Sequence, residues 1–185
     1  MRDFQKEKEG LVNKNKFILM SEVILVDEQD NPIGREEKIK AHKEAKLHRA
    51  FSILVFNEAG EWLLQERAKS KYHSPGLWTN TCCSHPRPGK SLLSEAKKRL
   101  EEEMGFVCPL KEVFTFTYKV KVGDLIEYEF DHVFLGKFSG QPQPDKKEAS
   151  DWKWMSPQEL GKDIKQNPEN YTPWSRIIFK EFYKK

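Results

Sequence analysis

No stretch of this chain approaches the roughly 20 consecutive apolar residues needed to cross a bilayer. Cysteine is scarce: there are three in 185 residues, an odd number that makes no disulfide framework. A single sign of charge is also missing. Charged residues make up 33% of the chain, yet the net charge is +3. That balance speaks against a nucleic-acid partner and leaves room for a local basic cluster around a small anion. Repeats and low-complexity tracts are absent. The opening MRDFQKEKEGLVNKNK has no apolar centre of the kind a secretory signal carries. These absences together imply a reducing, cytoplasmic setting with no membrane association.

What is present suffices for one domain. A hydrophobic content of 37% over 185 residues supports a single core and not two. Residues 1–20 are expected to form an arm, and residues 21–185 the domain. EVILVDEQDNPIG reads as a strand, Val23 to Val26, closing in an acidic turn. AFSILVFNEAGEWLLQERA reads as a hairpin around Asn57–Gly60. Residues 69–89 break every strand pattern and read as a long loop, a common seat of function. SLLSEAKKRLEEEMG is a helix with Leu93, Ala96, Leu100 and Met104 as its apolar stripe and Gly105 as its stop. VFTFTYKVKV and LIEYEFDHVFLGKF form a second hairpin about Gly123-Asp124. Ser156-Pro157 and Thr172-Pro173 each open a helix, the first with a capping box to Glu159. The order of elements predicts an α+β domain with a mixed or antiparallel sheet flanked by helices.

Four constellations carry chemistry. WTNTCCSHP, residues 78–86, sets two adjacent cysteines and His85 in the long loop. By itself this reads as a buried turn, because most single thiols are inert. KRLEEEMG, residues 98–105, crowds carboxylates at a helix C-terminus, where the macrodipole disfavours them and a cation would offset the cost. In IEYEFDHVF, alternation puts Glu127, Glu129 and Asp131 on one face, continued by the apolar Val133 and Leu135. That face therefore runs inward, and buried carboxylates need protons or a metal. His42 and His48 precede the first hairpin. With His85, Glu127 and Glu129 they make a set of three imidazoles and two carboxylates, which suits Zn, Mn or Fe(II). His73 and His132 read as bystanders. Lys38, Arg67, Lys71 and Arg99 supply basic groups for an anion, with Lys69 equally a surface residue.

KRLEEEMG resembles the tail of the Nudix motif, with Lys98 in the arginine position and Arg99 where the motif has its first metal-binding glutamate. Its upstream glycine and glutamate fall on Ser84 and Lys90. Taken with EEKIKAH, LHRAFSILVFN, QERAKSK, PGLWTNTCCSHP, EYE and TPW, the chain resembles type I isopentenyl diphosphate isomerases from about Ser21 to Lys180. The resemblance implies a Nudix-like single domain that interconverts isopentenyl and dimethylallyl diphosphate. It implies one tight metal on His42, His48, His85, Glu127 and Glu129. It also implies a Mg²⁺ arriving with the diphosphate near Glu103 and the Cys83 carbonyl. Cys83 matches the catalytic thiol and Cys82 its neighbour.

The chemistry accounts for these residue types. Moving a double bond by one carbon needs an acid on one face, a base on the other and a dry cavity for the cation between them. Cys83 and Glu129 fit the two faces, Tyr118 fits as the partner of Glu129, and Trp174 offers a π face to the cation. The expected partner is a small allylic or homoallylic diphosphate, bound by a monomer or weak dimer. Two readings from other classes stay open: a Nudix hydrolase of a nucleoside diphosphate derivative, and a non-catalytic metal-binding module.

Overall fold

The computed structural model describes residues 22–184. The arm expected over residues 1–20 lies outside the described residues. In chain order the elements are β1 (Glu22–Val26), β2 (Pro32–Glu37), α1 (Lys38–Lys43), β3 (His48–Phe56), β4 (Trp62–Arg67), β5 (Trp78–Thr79) and β6 (Cys82–Ser84). There follow α2 (Leu92–Met104), β7 (Leu110–Val122), β8 (Leu125–Lys137), β9 (Ala149–Met155), α3 (Pro157–Gln166), a short 3₁₀ turn (Pro168–Asn170) and α4 (Pro173–Tyr183). All the strands belong to one mixed sheet. Its pairs are antiparallel except β3 with β8, which run parallel from His48↔Glu129 to Phe56↔Lys137. No helix among the described residues is long and apolar enough to cross a membrane.

Alternation along β3 sorts its side chains onto two faces. Phe51, Ile53 and Val55 join Leu63, Phe134 and the buried side of α2 in one core. Leu54 faces the other way, into a second core with Trp62, Leu64, Val133 and the inner sides of α3 and α4. His48, Ala50 and Ser52 share the Leu54 face and are all buried. The same switch occurs on β8. Val133 is apolar, whereas Asp131, Glu129 and Glu127 precede it on the same face, all buried. Two neighbouring strands thus turn from apolar to polar at the same end, and that end is the floor of a cavity.

The expected hairpin of β3 and β4 is reduced to one pair, Phe56↔Trp62, after which the strands diverge. β3 takes β6 and β8 as neighbours, and β4 takes β5 and β9. The gap is filled by Thr79, Asn80 and Thr81, all fully buried. Thr81 Oγ1 donates to Leu63 O at 2.7 Å and accepts from Val55 N at 3.0 Å. Asn80 Nδ2 donates to Cys82 O at 2.7 Å. These side chains satisfy backbone groups that a continuous ladder would have paired. The long loop of residues 69–89 therefore contains two short strands.

In α2 the stripe runs through Leu92, Ala96, Leu100 and Met104, an unbroken i+4 series. Leu93, expected on it, is 38% exposed because one residue further along turns a side chain by about 100°. The helix ends at Gly105 in the left-handed region, φ +74. Gln143 N and Asp145 N donate to Met104 O and Glu103 O at 3.0 and 3.1 Å, so a returning strand of chain caps the helix. Ser156 makes the expected capping box with Glu159, and the Thr172 hydroxyl accepts from Ser175 N.

A Cβ at Gly105 would sit on the Gln143 backbone, whereas one at Gly60 meets open space, though both glycines have positive φ. Gly105→Ala should lower unfolding stability by about 2–4 kcal/mol, and Gly60→Ala by about 1 kcal/mol. Urea denaturation of the two variants checks the difference.

Candidate active site

The metal-type ligands come from three places. α1 carries His42, β3 opens on His48, and β6 delivers His85 just beyond its end. His42, His48, His85 and Glu129 bring ligand atoms within 4.8 Å of one another. His85 Nε2 lies 2.9 Å from Glu129 Oε1 and 3.2 Å from His48 Nε2. His48 Nε2 and His42 Nε2 lie 3.7 and 4.0 Å from the same oxygen. Glu127 Oε2 lies 3.2 Å from His42 Nε2. Ligands at about 2.1 Å from a metal are separated by about 3.0 Å in an octahedron and about 3.4 Å in a tetrahedron, so the spacing fits.

The second nitrogens strengthen that fit. His42 Nδ1 donates to Lys38 O at 2.7 Å, and His48 Nδ1 to Lys46 O at 2.8 Å. A carbonyl can only accept, so in the neutral ring Nε2 keeps its lone pair and aims it inward. His42 Nε2 is buried without a hydrogen-bond partner. Burial holds the His85 pKa well below the usual histidine value, which leaves that ring neutral. The cluster is compatible with a divalent metal.

One cavity adjoins this cluster, and Cys83, Glu129, Tyr118 and Trp174 all line it. Cys83 is fixed by the ladder, opposite Ser52 of β3. Burial pushes its thiol up to about 12, against the pull of Arg67. Burial therefore favours the neutral S–H. Glu129 is the reverse. Burial disfavours its charge, but the neighbouring His48, Glu127 and Tyr118 side chains outweigh that and hold it down to about 2. Tyr118 Oη donates to Glu129 Oε2 at 2.6 Å. Trp174 is buried at the start of α4, with the Arg67 guanidinium 5.2 Å from its ring centroid.

The basic residues Lys38, Arg67, Lys71 and Arg99 reach the same cavity, and so does Glu103. Lys69 is exposed and lies outside it. Arg67 also donates to Ser74 O and His73 O, each at 3.2 Å, which ties down the loop after β4. Glu103 accepts from Arg99 and, at 3.0 Å, from Gln65 Nε2. Arg99 is thus spread over Glu102, Glu103 and Glu148.

His132 lies on the outer face of β8 between Asp30 and Glu112, at 3.0 and 2.9 Å, away from the cavity as its strand parity required. His73 does not stay a bystander. Its Nε2 lies 3.2 Å from Glu127 Oε1, and its ring is 5.6 Å from that of Trp174. No periodicity could flag it, because it sits in irregular chain. Ser52 was missed: it lines the cavity and donates at 2.8 Å to Oδ2 of Asp131, which alternation had placed on the inward face. Burial raises the Asp131 pKa well above the usual carboxylate value.

Residues 46–181 match the NUDIX domain. Over 160 residues the chain is 52% identical to the isopentenyl-diphosphate Delta-isomerase of Serratia proteamaculans, covering 86% of this chain and 89% of that protein. It is also 52% identical over 154 residues to isopentenyl-diphosphate Delta-isomerase 2 of Aromatoleum aromaticum, covering 83% and 82%. Among solved structures, one from Deinococcus radiodurans superposes with a TM-score of 0.72 at 14% identity, covering 86% of this chain and 98% of that one. A MutT protein from Methanosarcina mazei gives 0.61 at 19%, covering 75% and 94%. At those identities the structures share the fold alone. The domain match spans most of the chain, and the sequence identity extends over most of each curated relative, so the chain belongs to the NUDIX domain family and, within it, to the isopentenyl-diphosphate Delta-isomerases.

Proposed function

We propose that this protein interconverts isopentenyl and dimethylallyl diphosphate, an isomerisation that supplies isoprenoid synthesis. The observation that carries the reading is a thiol and a carboxylate, Cys83 and Glu129, lining one cavity with the Trp174 ring. In the forward direction a proton is added to the terminal alkene carbon, whose π pair forms the new C–H bond. A tertiary cation results. A proton then leaves the carbon next to the oxygen-bearing one, and its C–H pair becomes the new π bond. Nothing is consumed. Cys83 and Glu129 serve as acid and base on the two sides, and Tyr118 orients the Glu129 carboxyl. Trp174 offers its π face to the cation, worth roughly 0.5–2 kcal/mol.

His42, His48, His85, Glu127 and Glu129 are the residues that would hold a tight metal, and their mixed imidazole and carboxylate set suits Zn, Mn or Fe(II). When bound, it supplies a fixed positive charge that keeps Glu129 oriented while its proton affinity is tuned. Lys38, Arg67, Lys71 and Arg99 hold the diphosphate, with Glu103 and the Cys83 carbonyl as the place for a Mg²⁺ that arrives with it. The hydrolase reading is set aside because Arg99 occupies a carboxylate position of the Nudix motif and pairs with Glu103. A non-catalytic module gives no reason for a thiol and a carboxylate to share a cavity with a basic cluster.

Incubation with isopentenyl diphosphate in deuterated water should give dimethylallyl diphosphate carrying deuterium at the terminal carbon, with no phosphate released. Mass spectrometry and a phosphate assay read both quantities. Phosphate release without deuterium uptake would restore the hydrolase.

Cys83→Ser should lose at least 10³-fold in kcat with metal content unchanged, because a hydroxyl is a far weaker acid than a thiol. Cys82→Ser and Cys108→Ser should keep most activity. Elemental analysis beside the rate assay separates chemistry from metal loss.

Two ligand variants should differ in which metal they lose. His85→Ala should release the tight metal, with at least about 10–100-fold weaker binding. Glu103→Gln should retain it and require more Mg²⁺ for half-maximal rate. Equal loss of both metals in either variant would point to one merged cluster.

A further inference from the structure

Glu127 is 3% exposed, and its two oxygens face different groups. Oε2 points to His42 in the metal-type cluster. Oε1 has no hydrogen bond of good geometry, though the Nε2 atom of His73 stands 3.2 Å from it. A buried carboxylate oxygen without a donor is costly, of the order of 1–3 kcal/mol. His73 Nδ1 is also buried and unpaired. If the ring proton resides on Nε2, the first anomaly is removed, because Oε1 gains a donor, while Nδ1 stays an acceptor without a partner.

The ring itself is clamped. The Tyr72 ring lies 4.4 Å from it on one side and that of Trp174 5.6 Å on another. The loop that carries it is tied to Arg67, whose guanidinium accounts for the carbonyls of His73 and Ser74. Ser74 adopts φ +48, a conformation that non-glycine residues rarely hold. Such a backbone persists only where its surroundings over-determine it. The loop is therefore built to hold His73 in one place, between a candidate metal ligand and the aromatic wall of the cavity.

We propose that His73 is a positioning residue, whose Nε2–H holds the outer oxygen of Glu127 while its ring sets the angle of Trp174. The Glu127 half stands on its own. The Trp174 half rests on the isomerase reading, in which that indole faces the cation. One side chain then couples the grip on the metal to the wall that stabilises the intermediate.

Two variants separate the halves. His73→Phe keeps a ring and removes the donor. His73→Gln keeps a donor and removes the ring. Circular dichroism and thermal melts establish that each is folded, and the two are assessed independently. The first readout is the rate at which Zn²⁺ leaves the loaded protein in excess EDTA, which requires no turnover. His73→Phe should release it about 10–100-fold faster than the wild type, and His73→Gln within about threefold of the wild type. The second readout is kcat and KM at saturating metal. His73→Gln should lower kcat about tenfold with KM within about twofold, because the basic residues that hold the diphosphate are untouched. Equal release rates in wild type, His73→Phe and His73→Gln overturn the Glu127 role. An unchanged kcat in His73→Gln overturns the Trp174 role. If the wild type does not turn over isopentenyl diphosphate at all, the isomerase reading fails, while the release rates still decide whether His73 holds Glu127.

Discussion

The parallel pairing of β3 with β8 is the constraint on which the site depends. It sets His48 beside Glu129 and aligns two strands that lose their apolar character at the same end. A one-residue slip in this register would turn Glu127, Glu129 and Asp131 toward the opposite face. The second neighbour of β3 completes the geometry. β6 pairs with it so that Cys83 comes opposite Ser52, on the face that also carries His48. The thiol and the carboxylate therefore reach one cavity from strands on opposite sides of β3. Neither needs a flexible loop to bring it there, and a site on rigid strands holds its reacting groups more closely than one on mobile chain.

That arrangement is expensive for the fold. His42, His48, Glu127, Glu129 and Asp131 are all below 9% exposed within one end of the sheet. Groups of this kind cost several kcal/mol each when their charges lack partners. Two cores offset the cost, one on each face of the sheet, with α2 over the first and α3 and α4 over the second. The cost is also lowered locally. Tyr118 serves Glu129, Ser52 serves Asp131, and backbone carbonyls take the outer nitrogens of His42 and His48. Among the buried atoms that stay unpaired is His42 Nε2, which faces the place a cation would occupy. A metal bound there would stabilise the folded chain by mass action, since the unfolded chain has no such cluster.

Much of this was legible in the sequence, and the limits were physical. The β7–β8 hairpin was readable because alternation over thirteen-residue strands is a long signal and Gly123, at φ +59, marks the turn. The inward face of Glu127 and Glu129 followed from Val133 and Leu135 continuing it. The capped helices were readable from Ser156-Pro157 and Thr172-Pro173. The separation of β3 from β4 was not, because a tight turn between two apolar runs gives no sign of what the strands meet afterwards. Thr79, Asn80 and Thr81 carried the clue: three polar residues in a row between apolar stretches, with backbone groups to satisfy on both sides. His73 was illegible for another reason. Its partners, Glu127 and Trp174, lie 54 and 101 residues further along the chain. Only the folded loop brings them together.

The end of α2 explains how one fold can serve a different chemistry from the hydrolases whose motif it resembles. Carboxylates at a helix C-terminus face the negative end of the macrodipole. A cluster of them there is stabilised most readily by multivalent cations, which is the arrangement a hydrolytic metal site needs. Here the position of one motif glutamate is taken by Arg99, which pairs with Glu102, Glu103 and Glu148 from within the protein. The helix carbonyls are capped separately, by the amides of Gln143 and Asp145. Glu103 is left as the one buried carboxylate of that turn lining the cavity, held between Arg99 and Gln65. A single carboxylate beside a guanidinium is poorly suited to collecting several metals around an attacking water. It is well suited to anchoring an anion through one cation and one arginine. On the proposed reading, the tight metal belongs with the imidazoles of α1, of β3 and just beyond β6, and the helix is left to hold the charged end of the substrate.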